Sequence, residues 1–287
     1  MKILATGLTG LVGSRINQIL SDFEFTSISR STGIDITNYV SLVPAFESFD
    51  GKYVLHMAAK ADVDGCEADK PLKDSGEAWR INVFGTENIA NLCKKFSKTL
   101  IYISTDMVFN GEKPEGEAYT EDDEPDPIDW YAATKYEGEK KVLESGAENT
   151  ILRIAYPYGN SPVEKKDFVR IIGRRLKEGK PINGVTDHIM CPTFIDDLAQ
   201  VLKVVTEQNA TGVYHTVGST PLSPYDAACI IAQKVGVDAS VIGKTTRAEY
   251  FLGKAPRPFN LYLKNDKIRA LGVTFKTFEE GVGEITF

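Results

Sequence analysis

Two hydroxyl residues, a tyrosine and a lysine follow one another at spacings that suit proton transfer. Ser104 and Thr105 end the apolar run IYIST, and Tyr131 and Lys135 are four residues apart in YAATK. Residues four apart share one face of a helix, so Lys135 can stabilise the phenolate of Tyr131 and lower its pKa. The stretch predicts a hydride-transfer site in which Thr105 polarises a carbonyl, Tyr131 protonates it, and Lys135 also binds the nicotinamide ribose.

The spacing alone does not single out this tyrosine. The sequence also contains the pairs Tyr136/Lys140 and Tyr250/Lys254. Residues five apart on a helix point in different directions, so Tyr136 and Tyr131 cannot share a site. Small residues follow Tyr131 and allow its helix to approach a sheet closely, whereas Tyr250 is far in sequence from any nucleotide-binding element. We therefore select Tyr131 as the catalytic candidate.

A glycine-rich turn follows the first apolar run. Residues 6–13 read TGLTGLVG and lead into an apolar helix pattern. Glycines here let the backbone turn tightly and approach a pyrophosphate at a helix N-terminus; the alternative is a glycine-lined turn without a ligand. The predicted cofactor contacts in this turn are Gly7, Thr9, Gly10, Leu11, Val12 and Gly13.

The end of the second strand bears on the choice of cofactor. The run SISRS lacks the acid that binds the NAD ribose, and Arg30 can instead pair with a 2′-phosphate. NADP is therefore favoured over NAD, although Arg30 can also be a solvated loop residue. Asp35 and Ile36 are expected to line the adenine pocket; Asp35 can equally precede a helix whose N-cap is predicted to be Thr37.

Short β-branched runs alternate with helical patterns through the first half of the chain. This alternation predicts an α/β fold with a Rossmann-type, doubly wound parallel sheet and a smaller, interleaved C-terminal substrate domain. We assign residues 1–156 and about 191–218 to the cofactor domain, and about 157–190 and 219–287 to the substrate domain. Predicted strands are 2–6, 25–29, 53–57, 99–104, 150–154 and 212–217; predicted helices are 10–21, 39–48, 76–96, 129–145 and 195–207.

Composition limits the class of protein. The net charge of -7 over 287 residues argues against a general nucleic-acid or membrane-surface binder. The four cysteines and three histidines show no metal-ligand spacing, so no metal is expected, and His56 and His215 are interpreted as structural residues. No signal peptide or long apolar run is found, which indicates a cytoplasmic protein.

Eight segments together resemble the extended short-chain dehydrogenase/reductases, and most closely the dTDP-4-dehydrorhamnose reductase group. They are TGLTGLVG, MAAKADVDGCE, INVFGT, IYISTDMVFNG, YAATK, CPTFIDDLA, GVYHTVG and APRPFN. The resemblance implies catalytic Thr105, Tyr131 and Lys135, and reduction of the C4 keto group of a nucleotide-linked 6-deoxysugar by NADPH or NADH. It further implies cofactor contacts at Ala58, Ala59, Lys60, Asn82 and Ser104, and substrate contacts at Val63, Asp64, Met107, Tyr156 and Arg257.

Two other functions are compatible with the same sequence. One is a nucleotide-sugar epimerase or dehydratase of this fold, although Asp106-Met107 does not supply the usual acidic pair of a dehydratase. The other is a non-catalytic, NADP-binding regulatory subunit. A homodimer is the family-level expectation. The basic run Lys165, Lys166, Arg170, Arg174, Arg175 and Lys177 is interpreted as a solvated helix face with one arginine at most reaching a substrate diphosphate.

Overall fold

A six-stranded parallel sheet organises the protein in the computed structural model, which describes residues 1–164 and 167–287. The strand order β2-β1-β3-β4-β5-β7 reverses its direction of growth between β1 and β3, so the predicted doubly wound sheet is confirmed. Ligands bind such sheets beyond the carboxyl ends of the strands at this reversal. The strands are β1 (Lys2–Thr6), β2 (Glu24–Ile28), β3 (Tyr53–His56), β4 (Thr99–Thr105), β5 (Asn149–Ile154) and β7 (Gly212–His215), within two residues of the predicted bounds.

Helices cover both faces of this sheet. The central strands β3 and β4 are buried along their whole length, because parallel strands have helices on both sides. One core layer packs under α1 and α8, and the other under α2, α5 and α6. The helices are α1 (Leu11–Ile19), α2 (Tyr39–Ser48), α3 (Val63–Asp69), α4 (Glu77–Trp79), α5 (Thr86–Lys95), α6 (Trp130–Glu144) and α8 (Ile195–Gln208).

One local prediction was confirmed with a change of detail, and one was wrong. The helix predicted over 76–96 is present over 77–95, and it contains a wide π-helical turn at Arg80–Gly85 between α4 and α5. The N-cap of α2 is Asn38, whose side chain accepts from the first-turn amides, rather than Thr37. The backbone N–H and the hydroxyl of Thr37 instead donate to Asp35, both at 2.9 Å.

A second, two-stranded parallel sheet lies in the C-terminal half and packs against its own apolar cluster. The α9 helix in this layer begins after the capping box of Ser223 and Asp226, and its C-cap is Gly236 in the left-handed conformation. The division of the chain into two domains stays a prediction. These elements are α7 (Phe168–Lys177), β6 (Ile182–Val185), α9 (Pro224–Val235), β8 (Ile242–Thr245), α10 (Arg247–Tyr250), α11 (Asp266–Arg269) and α12 (Phe278–Gly283).

The described residues contain neither a membrane-spanning helix nor a metal-binding cluster. No helix in ranges 1–164 and 167–287 has the length and apolar character needed to cross a bilayer. Within the same ranges, no group of acidic, histidine and cysteine side chains has the arrangement of a metal site. Lys165 and Lys166 of the basic run lie outside the described residues.

Candidate active site

A cavity of about 1090 Å³ opens at the carboxyl edge of the sheet, between the six-stranded layer and the C-terminal layer. It joins the glycine turn, the end of β4 and the start of α6, which are far apart in sequence. The predicted site residues that line it are Gly7, Gly10, Leu11, Val12, Gly13, Ala59, Val63, Ser104, Thr105, Met107, Tyr131, Lys135, Tyr156 and Arg257.

The glycine turn has the geometry of an anion cradle. Gly7 has a φ of +75°, and a Cβ there would lie 2.8 Å from the backbone nitrogen of Ala58. A Cβ on Gly13 would lie 2.4 Å from the carbonyl oxygen of Gly7. Gly10 is the N-cap of α1 and has no side chain with which to cap it, so the first-turn amides can bind a phosphate. These residues fit a dinucleotide pyrophosphate.

The start of α6 is fixed by two acidic side chains. The carboxylate of Asp129 accepts from the amide of Ala132 at 2.9 Å, and Glu67 accepts from the amide of Trp130 at 2.7 Å. This double anchoring places Tyr131 in the first helical turn, facing the end of β4. Burial raises the pKa of the Tyr131 hydroxyl, and the hydrogen bond with Thr105 opposes this effect only in part. Tyr131 is therefore protonated at neutral pH.

Thr105 is bonded to a buried acid. Its hydroxyl donates to Oδ1 of Asp106 at 3.0 Å and accepts from the amide of Met107 at 3.2 Å. Burial raises the pKa of Asp106 to about 7. Oδ2 of Asp106 and Oγ of Ser104 are buried without a hydrogen-bond partner in the described part of the chain. A protonated Asp106 can donate to Thr105 and free the threonine proton for Tyr131 or a ligand.

Lys135 does not act on Tyr131 as the sequence suggested. Its ammonium donates to the hydroxyl of Tyr102 at 2.7 Å and to the carbonyl of Ile103 at 2.8 Å, and it lies 4.0 Å from the centre of the Tyr102 ring. Burial lowers the pKa of Lys135 to about 7. The expected lowering of the Tyr131 pKa by Lys135 is therefore corrected: the lysine is directed onto β4.

Behind Lys135 lies a buried polar network that reaches the cofactor turn. The ring of Tyr102 stacks on His56 with centroids 5.5 Å apart. His56 bonds Thr6 at 2.7 Å and Thr86 at 3.0 Å, and Thr6 accepts from the amide of Ala58 at 3.1 Å. Burial lowers the pKa of His56 to about 3, so it is neutral. The interpretation of His56 as a structural residue is confirmed. His215 is likewise fully buried, and it bonds the carbonyl of Lys264.

On the substrate side, an ion pair spans the two layers. A terminal guanidinium nitrogen of Arg257 donates to Asp64 at 2.9 Å, and Asp64 also accepts from the amide of Ala255 at 3.2 Å. Arg257 is thereby held at the cavity wall while Asp64 lies behind it. Met107 and Val63 contribute apolar lining beside it.

Several predicted cofactor residues lie outside the cavity lining, and their roles stay predictions. The guanidinium of Arg30 is well exposed, with 65% of its side-chain surface accessible, and pairs with Asp35 at 3.2 Å. Ile36 is buried in the core and packs near Gly85. Lys60 pairs with Glu77 through its ammonium. Thr9 and Ala58 also lie outside the lining.

Asn82 has a positioning role in the structure. Its side-chain oxygen accepts from the amide of Lys60 at 2.8 Å, and its nitrogen donates to the carbonyl of Lys60 and to the hydroxyl of Thr134. The residue is fully buried. Asn82 therefore joins the turn after β3 to α6, the helix that carries Tyr131. This contact helps to fix the distance between that turn and α6.

The C-terminal layer contributes lining residues that sequence reasoning did not select. They come from α7, from the β6 region and from the loops that follow. Arg175 alone had a signal, since it belongs to the basic run; Arg170 of that run is buried against Asp167. Phe168 and Ile171 lie on the same helix as Arg175, and the others lie in short segments or loops whose pattern does not identify a ligand contact. The main omissions are Phe168, Ile171, Arg175, Asn183, His188 and Phe251.

Known proteins resemble this chain along its whole length. A family model described as the RmlD substrate binding domain matches residues 1–286. The dTDP-4-dehydrorhamnose reductase of Aggregatibacter actinomycetemcomitans is 30% identical over 287 aligned positions, covering 95% of this chain and 94% of that protein. Methionine adenosyltransferase 2 subunit beta of Xenopus laevis is 27% identical over 300 positions, covering 99% of this chain and 86% of that protein.

A solved structure agrees with these matches. The dTDP-4-dehydrorhamnose reductase of Bacillus anthracis, determined in complex with NADP, superposes with a TM-score of 0.88 at 28% identity, covering 98% of this chain and 96% of that one. The shared fold, the cavity and the matched length lead to one assignment. This chain belongs to the RmlD substrate-binding-domain family.

Proposed function

We propose that this protein is an NADPH-dependent reductase that converts the C4 keto group of a nucleotide-linked 6-deoxysugar to an alcohol. The observation that supports it best is the meeting of Thr105, Tyr131 and Lys135 with the glycine turn in one cavity. The similarity to dTDP-4-dehydrorhamnose reductases supports the same substrate class and a product such as dTDP-rhamnose.

The chain supplies the proton for this reaction. Tyr131 is protonated at neutral pH, and an alkoxide developing on the substrate is more basic than a phenolate, so proton transfer from tyrosine to the alkoxide is downhill. Thr105 lines the cavity with Tyr131, and it can polarise the carbonyl when a protonated Asp106 donates to its oxygen and leaves the threonine proton free. Burial of all three groups strengthens these electrostatic effects.

The cofactor that fits the cradle is NADP, whose reduced form, NADPH, would supply hydride. The amides at the start of α1 would hold its pyrophosphate, and the exposed Arg30 would hold its 2′-phosphate in competition with Asp35. Lys135 would meet the nicotinamide ribose from the β4 side.

A non-catalytic regulatory subunit is the second candidate. It is favoured by the similarity to methionine adenosyltransferase 2 subunit beta over 99% of this chain. The two candidates differ in turnover, because a regulatory protein needs no proton donor matched to a keto sugar. A homodimer and a cytoplasmic location are further proposals that rest on the sequence.

Turnover provides the test. NADPH absorbance is followed with a dTDP-linked 4-dehydro-6-deoxyhexose for the wild type, for Tyr131→Phe and for Tyr136→Phe. The Tyr131 variant is expected to lose roughly 10²- to 10⁴-fold in kcat while keeping its affinity for NADPH. Tyr136→Phe is the matched control on the same helix and should retain the wild-type rate.

The outcomes separate the candidates. No NADPH consumption by the wild type with several nucleotide 4-ketosugars would refute the reductase and favour the regulatory subunit. A normal rate in Tyr131→Phe would instead remove the assigned proton donor.

A further inference from the structure

A chain of two hydrogen bonds crosses the wall of the cavity and ends at Tyr156. Nδ1 of His188 lies 2.7 Å from the carbonyl oxygen of Pro258, and Nε2 of His188 lies 3.0 Å from the hydroxyl of Tyr156. Tyr156 and His188 both line the cavity. His188 is buried, so its ring has no competing water on most of its surface.

The direction of both hydrogen bonds follows from the carbonyl. A backbone carbonyl only accepts, so Nδ1 of His188 must bear the proton. Burial lowers the pKa of His188 to about 4, which makes the ring neutral at physiological pH. A neutral imidazole has one N–H, so Nε2 is an acceptor and the hydroxyl of Tyr156 must donate to it.

This direction determines what Tyr156 can offer a ligand. Its only proton is committed to His188, and its oxygen keeps a lone pair for one further donor. In ranges 1–164 and 167–287 no other group forms a hydrogen bond with this oxygen. Tyr156 is therefore an acceptor toward the cavity, in contrast to Tyr131, which has a proton to give.

The backbone holds Tyr156 in a fixed position. Its φ of +38° is in the left-handed region that a tyrosine rarely adopts. Thr193 maintains this conformation from both sides, since it donates to and accepts from Ala155 and accepts from the amide of Tyr158. The ring also packs edge-on against Phe168 with centroids 6.0 Å apart. Strain retained in this way is typical of functional positions.

Tyr156 lines the same cavity as Thr105, Tyr131 and Arg257. Its phenol therefore borders the space that a substrate placed against Tyr131 would occupy. A sugar whose keto carbon faces Tyr131 and which extends along the cavity toward Arg257 would pass this part of the wall. The ring hydroxyls of such a sugar are hydrogen-bond donors.

We propose that Tyr156 is a specificity-determining residue that accepts a hydrogen bond from the C2 or C3 hydroxyl of the nucleotide-linked sugar, with His188 as its positioning residue. This inference rests on the proposed function. It predicts selection for sugars that keep that hydroxyl, because the acceptor would otherwise be buried without a partner.

Binding of unreactive ligands tests the inference apart from turnover. Dissociation constants are measured by calorimetry, with NADPH present, for a dTDP-linked 6-deoxyhexose and for its counterparts lacking the C2 or the C3 hydroxyl. Tyr156→Phe is expected to weaken binding of the full sugar about fivefold. The deoxy ligand that lacks the hydroxyl bound by Tyr156 should have the same dissociation constant for the variant and for the wild type. Tyr158→Phe, which removes a phenol from the same segment outside the cavity lining, is the matched control.

Isotope-edited NMR of histidine-labelled protein adds a readout of the hydrogen-bond direction. The resonance of His188, assigned with His188→Gln, should show a proton on Nδ1; a proton on Nε2 would overturn the inference. The inference would also be overturned if Tyr156→Phe lost affinity equally for all three sugars, or lost none for any of them. Either result would leave the proposed function intact. If the wild type binds none of the three sugars, the proposed substrate class fails and the inference fails with it.

Discussion

Lys135 should make the stability of this protein depend on pH in a way that isolates one side chain. Only 3% of its surface is exposed, and burial lowers its pKa from 10.5 to about 7. The unfolded chain therefore binds a proton that the folded chain releases between these values. Stability rises with pH wherever the unfolded state binds more protons. The buried ammonium of Lys135 therefore lowers the free energy of unfolding by its full amount below pH 7, and this destabilisation disappears near pH 10.5.

The size of the effect follows from the pKa difference. At about 1.4 kcal/mol per pKa unit, the contribution of Lys135 to the free energy of unfolding should grow by about 2 kcal/mol between pH 7 and pH 9. Lys135→Met removes this contribution. It also leaves the hydroxyl of Tyr102 and the carbonyl of Ile103 without their donor, but that loss does not vary with pH over this range.

Urea unfolding at several pH values between 6 and 9 provides the measurement. The stability of the wild type relative to Lys135→Met should rise by about 2 kcal/mol from pH 7 to pH 9. Lys140→Met is the matched control, since Lys140 is on the same helix, partly exposed and paired with Glu137. A pH-independent difference between wild type and Lys135→Met would refute the reasoning.

Three further predictions concern other charged groups. Because burial raises the pKa of Asp106 to about 7, the wild type should show an infrared band of a protonated carboxyl at pH 6 that fades by pH 8 and is absent in Asp106→Asn; a band unaffected by that substitution would contradict the assignment. Arg30→Ala should weaken NADPH binding roughly tenfold or more and leave NADH binding unchanged, and equal affinities for NADPH before and after would exclude a role for Arg30. Arg153→Met should cost roughly 3–5 kcal/mol in urea unfolding because it leaves Glu139 charged and buried, whereas Arg153→Met with Glu139→Leu should recover most of that loss.

Much of the fold was predictable from the sequence because its signals are local. Parallel strands buried on both faces are short continuous apolar runs, as in β3. All six strands of the main sheet were found from such runs and from short β-branched ones. The glycine turn was predictable because a φ of +75° at position 7 favours glycine. The π-helical turn around Asn82 was not predictable, since no local pattern marks it; in the structure Asn82 bonds the turn after β3.

The candidate site was also predictable only where its features depend on local sequence. The sequence determined that Tyr131 and Lys135 share a helix near a strand ending in Thr105, since these relations depend on helical periodicity and on adjacency. From the sequence, the small residues after Tyr131 were expected to let α6 approach the sheet closely. The structure places a close contact at Gly138, where a Cβ would lie 2.5 Å from the Tyr102 hydroxyl.

Only the tertiary structure decided the partners of the charged groups. The direction of Lys135 toward Tyr102 depends on the distance of α6 from β4. The pairing of Arg257 with Asp64 joins residues 193 positions apart, and the hydrogen-bond direction at Tyr156 depends on a carbonyl at Pro258. No local pattern encodes such contacts, because they exist only once the helices and loops are packed on the sheet.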